Sequence, residues 1–60
     1  MYTVYLSINC QIQDEKDFRS VIEAREFVKN ILGDREYRTD SIPLVDYYFA
    51  ENFELAIWHA

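Results

Sequence analysis

The 60-residue chain has one cysteine, one glycine, one proline and one histidine. A single thiol excludes an intrachain disulfide, and one thiol with one imidazole is too few for the usual zinc ligand sets. One glycine cannot build a phosphate-cradling loop, and the acids at Asp14, Glu15 and Asp17 lack the glycine and closing glutamate of a calcium loop. No side-chain charge occurs within residues 1–13, and no lysine or arginine follows Arg38. No apolar run is long enough to suggest a membrane span or a signal peptide. The expectation is a cytoplasmic protein without cofactor or metal.

What is present is apolar and aromatic: half of the chain is hydrophobic and ten residues are Phe, Tyr or Trp. Such a composition folds rather than staying disordered. A chain this short still buries only about 60% of its unfolded surface. With disulfides and metals set aside, self-association is the remaining remedy, so a homodimer is expected.

The net charge of −5 is unevenly spread. Residues 14–38 hold seven acids and all six bases, whereas residues 39–60 hold Asp40, Asp46, Glu51 and Glu54 alone. An acidic surface disfavours direct nucleic-acid binding, which works by displacing phosphate counterions. The one basic stretch that could support it runs from Arg25 to Arg38.

The first twelve residues alternate. Tyr2, Val4, Leu6, Ile8, Cys10 and Ile12 form an apolar set, and the period of two predicts one long strand with Cys10 as a buried, inert thiol. Cysteine usage of this kind suits a reducing, intracellular setting. Residues 13–20 read as polar and irregular. Ser20 and Glu23 then have capping-box spacing, which predicts a helix from Val21 to Leu32 with Gly33 as its stop. Val21, Ala24, Phe27, Val28, Ile31 and Leu32 gather on its apolar face.

Residues 33–41 read as a connection, with Tyr37 packing back on the core. Two β-rich runs follow, Ile42–Phe49 and Phe53–Ala60, joined by a short loop as a hairpin. Pro43 near the start of the first of these runs argues that this strand lies at a sheet edge, or that Pro43 only enters it. The expected fold is one α+β domain spanning residues 1–60. Its order is β-α-β-β, with a three-stranded, mainly antiparallel sheet and one helix packed on one face. If the last strand lies between the other two, every pairing is antiparallel; a right-handed crossover placing the first strand parallel beside the second is the alternative.

A single helix leaves the other sheet face bare. By alternation that face carries Tyr5, Tyr48 and Trp58 among Ser7, Asn9, Asp46 and Glu54, while Phe27, Tyr47, Phe49 and Phe53 read as core. Exposed aromatics with polar tips bring large contact area at low entropy cost. The candidate partner-binding residues are therefore Tyr5, Asp46, Tyr48, Glu51, Glu54 and Trp58. No catalytic residues are assigned, because the one thiol–imidazole combination, Cys10 with His59, pairs an inward residue with one near the chain's end.

Size, acidic charge and the β-α-β-β order resemble small phage-encoded inhibitors, including anti-CRISPR proteins and DNA-mimicking inhibitors of DNA-processing enzymes. The resemblance is one of architecture and charge over the whole chain, without a shared motif. It implies a host nuclease or other DNA-processing protein with a basic groove as partner, and the bacterial cytoplasm as location. The alternative reading is a homodimeric structural or adaptor module.

Overall fold

The computed structural model describes residues 1–59. The elements are β1 (Tyr2–Ile8), β2 (Gln11–Phe18), α1 (Val21–Leu32), β3 (Arg38–Ile42), β4 (Val45–Phe49) and β5 (Glu54–His59). They form one five-stranded sheet in the order β2-β1-β5-β4-β3, with every neighbouring pair antiparallel. The α+β class and the single covering helix agree with the sequence reading. The three-stranded β-α-β-β arrangement does not, because two further strands flank it.

Both missed strands are edge strands, and each is concealed in the sequence for a physical reason. The opening alternation breaks at Asn9 and Cys10, whose φ values of 54° and 65° make a two-residue reversal. Positive φ at both central positions is the pattern of a type I′ hairpin turn, usually marked by Asn-Gly. Cys10 is therefore exposed at a hairpin tip rather than buried in the core. Beyond it the chain returns as β2, where Asp14, Glu15 and Asp17 are strand residues and not part of an irregular connection. An edge strand has a partner on one side only, and charges along it discourage pairing with other chains.

At the other edge, Pro43 and Leu44 form the turn between β3 and β4, so Pro43 lies between two strands, and the run after it, β4, is not the edge strand expected but lies between β5 and β3. Pro followed by a residue at φ 72°, here Leu44, is the pattern of a type II turn. The last strand does lie between the first and the one before it, β1 and β4.

The helix has the predicted bounds. Ser20 Oγ accepts a hydrogen bond from the Glu23 amide at 3.1 Å. Gly33 closes the far end with φ 58°, and its amide donates to the Lys29 carbonyl at 2.9 Å. Arg35 Nη1 adds donors to the Ile31 and Leu32 carbonyls at 3.0 and 3.2 Å, satisfying groups a helix end leaves open. Ala24, Val28 and Leu32 on α1 bury against Val4 of β1 and Leu55 and Ile57 of β5. Tyr2, Leu6, Phe18, Phe27, Tyr48 and Phe53 pack around that cluster. No helix among the described residues is long and apolar enough to cross a membrane.

Asn9-Cys10 is a costly version of this turn, since a side chain at positive φ costs roughly 1–2 kcal/mol. Cys10→Gly is expected to raise the unfolding free energy by up to about 1 kcal/mol, glycine's extra unfolded-state entropy offsetting part of the relief. Urea titration of the two proteins checks it.

Candidate binding face

The sheet register decides which side chains share the uncovered face. Residues directly opposite on neighbouring strands project to the same side. Three rows thus cross the sheet away from the helix: Asp17-Thr3-Trp58-Val45-Ile42, Glu15-Tyr5-Ala56-Tyr47-Asp40, and Ile12-Ser7-Glu54-Phe49-Arg38. Ile12 joins them because a bulge between Leu6 and Ser7 shifts the β2 register by one residue. The centre is apolar and aromatic, and four of the six row ends on the outer strands β2 and β3 are charged: Asp17, Glu15, Asp40 and Arg38.

Val45 is 3% exposed and Ala56 8%, yet neither belongs to the cluster under the helix. They form the floor of a second, thinner apolar layer. Tyr5 and Trp58 meet edge to face with ring centres 6.2 Å apart, and Tyr47 stacks on Phe49 at 5.7 Å. A shallow hollow of about 310 Å³ opens between Tyr5, Ile12, Tyr47, Glu54, Ala56 and Trp58. Trp58 remains 47% exposed and Ile12 64%. Large apolar side chains grouped on one face mark interaction surfaces more often than singly scattered ones do.

Of the six residues expected to bind a partner, Tyr5, Glu54 and Trp58 lie on this face. Glu51 is exposed in the β4–β5 loop. Asp46 and Tyr48 are on the opposite side, and Tyr47 and Phe49 take the places assigned to them. The parity of β4 is thus reversed. Val45, Tyr47 and Phe49 are its more apolar set, so hydrophobicity alone turns them toward the helix. A helix about 10 Å wide spans only two or three strands spaced about 4.8 Å apart. It packs on β1, β2 and β5 and stops short of β4, whose helix-side positions accept an aspartate and a tyrosine. Tyr37 also departs from expectation. It is exposed, with its ring 6.0 Å from that of Tyr48.

Asp46 organises that margin. Ser41 Oγ donates to Asp46 Oδ1 at 2.5 Å. His59 Nε2 lies 2.8 Å from Asp46 Oδ2, and Arg25 Nη2 approaches the same oxygen at 4.0 Å. The Ser41 hydrogen bond, with that of His59 next, holds the Asp46 carboxyl below the usual carboxylate range. Burial, with the Asp46 charge adding to it, pushes the Tyr48 hydroxyl up. Serine, aspartate and histidine here stand in a non-catalytic order. The carboxylate lies between the other two, so the imidazole takes no proton from the hydroxyl and activates no nucleophile.

A lowered carboxyl pKa contributes stability above the unfolded value, and this is lost as pH falls through the folded one. Asp46→Asn is therefore expected to destabilise the protein at neutral pH and to flatten its loss of stability below about pH 4. Chemical unfolding of both proteins across that range checks the difference.

The bases of the helix and its exit are dispersed. Arg25 leans toward Asp46, Arg35 is turned to the helix carbonyls and lies 5.7 Å from the Phe53 ring centre, and Arg38 stands at a corner of the open face. Among the described residues no group of three or more His, Cys, Asp or Glu side chains is placed to hold a metal ion. Comparison with known proteins finds no counterpart: no family model, no curated protein and no solved structure matches the chain.

Proposed function

We propose that this protein is a non-enzymatic binding protein that acts by laying its open sheet face against another protein, as an inhibitor or adaptor would. The supporting observation is the row structure of that face. Tyr5, Tyr47, Phe49 and Trp58 stand together on the side the helix leaves bare, with Trp58 half exposed. Rigid aromatics grouped on a sheet lose little entropy on contact and supply most of the energy of typical interfaces. Small size and acidic charge, rather than strand order, support the likeness to phage-encoded inhibitors of DNA-processing proteins in the cytoplasm.

The test compares variants rather than relying on capture alone. The wild-type chain, Tyr5→Ala/Trp58→Ala and the helix-surface control Ile22→Asp are each tagged and used to purify a partner from host cells. A partner held by the wild type and Ile22→Asp, and lost with the double variant, is the expected result. Loss with Ile22→Asp and retention by the double variant would move the contact to the helix side.

A further inference from the structure

The geometry points to a specific class of occupant for the open face: we infer that it takes a basic segment of another protein, one or two apolar anchors flanked by Lys or Arg. This inference rests on the proposed role of that face and adds the chemistry of the partner. Four carboxylates surround the aromatic centre, those of Glu15 and Asp17 on β2, Asp40 on β3 and Glu54 on β5, against one base, Arg38. The close contacts of Arg25 and His59 with a carboxylate both end on Asp46, on the other side of the sheet. No basic side chain among the described residues comes within 4.0 Å of a rim acid, so a partner supplying positive charge gains from all four.

The central row gives the spacing. It begins at Glu15, passes Tyr5, Ala56 and Tyr47, and ends at Asp40. Its ends are four strand spacings apart, roughly 19 Å, which an extended peptide covers with about six residues. A segment lying along that row sets its apolar residues over Tyr5 and Tyr47 and its cations at the two ends.

The same features weigh against a second copy. Five strands and three same-side rows make a footprint on the order of 400–500 Å². A stable interface of standard size takes about 800 Å² from each partner. A face-to-face pair would also oppose two sets of the same four acids on chains of net charge −5.

The probe is the synthetic peptide Lys-Lys-Val-Leu-Val-Lys-Lys, with Glu-Glu-Val-Leu-Val-Glu-Glu as its counterpart. Each is titrated into the full chain while Trp58 fluorescence and backbone amide shifts are followed, with sedimentation recording the oligomeric state. The Lys peptide is expected to saturate, to shift amides of β1, β4 and β5, and to bind at least about tenfold more tightly than the Glu peptide. Its affinity should fall about tenfold or more between roughly 50 and 200 mM salt. The variant Glu15→Lys/Asp40→Lys, changed only at exposed edge positions, should reverse the preference. Equal binding of the two peptides at the face would overturn the basic-segment inference while leaving the face a protein-binding surface. Failure of both peptides, with the chain sedimenting as a dimer and Trp58 emission shifted blue, would give the face to a second copy and overturn both readings. Failure of both with a monomeric chain overturns the inference.

Discussion

Tyr5→Ala/Trp58→Ala is expected to weaken partner binding about 100-fold or more, since central aromatic anchors commonly contribute about 2 kcal/mol each and do not add fully. The two rings share one edge-to-face contact and stand in neighbouring rows of the open face. Their removal also costs some stability, because aromatic pairs contribute about 0.5–1.5 kcal/mol beyond their area. Circular dichroism and thermal unfolding should show the double variant folded with a lowered Tm. Ile12→Asp separates the two effects. It lies at the rim of the same hollow, on an edge strand and 64% exposed, so a charge there should reduce binding with little change in Tm. If neither variant alters partner affinity, the open face is not the contact.

Leu55→Ala is expected to bring the fold close to its limit. Leu55 lies in the central strand β5, is fully buried, and packs in the cluster with Val4, Ile57, Val28 and Leu32. Leucine-to-alanine changes at such sites cost about 2–5 kcal/mol through lost transfer energy and an incompletely filled cavity. A 60-residue domain has total stability on the order of 3–9 kcal/mol. A cost near 3 kcal/mol lowers Tm by roughly 12–24 °C in a domain of this size. Thermal unfolding followed by circular dichroism reads that shift directly. Val45→Ala, equally hidden but on the thin second layer, should cost less, because the lost contacts are with exposed-face side chains rather than with the helix-side core. Equal costs would mean that the two layers are equally well packed.

The contrast between those two layers also explains how much of the molecule was legible in its residues. The helix could be read to the residue, since its signals are local: Ser20 at the cap, the apolar spacing of Ala24, Val28 and Leu32, and Gly33 at the end. The faces of β1 and β5 could be read for the same reason, as each is a short run of strict alternation, and this placed Tyr5, Glu54 and Trp58 correctly on the open side. Pairing information is different in kind. Asn9-Cys10 reverses the chain without glycine, so the alternation of MYTVYLSINCQI continues in the letters after the strand has ended. Nothing local marks residues 11–18 as a strand, because at an edge the backbone partner is β1 and the side chains are largely solvated.

The residues by themselves thus determined an acidic, aromatic-rich α+β chain, one amphipathic helix with its caps, and which side chains of β1 and β5 face the helix. Only the tertiary structure decided that the sheet has five strands, that Cys10 stands at a turn, and that Tyr47 and Phe49 rather than Tyr48 and Asp46 line the open face. The reason lies in reach. Caps and alternation act over four residues or fewer, whereas the side to which β4 turns depends on its register with β5 and on how far the width of one helix extends across five strands.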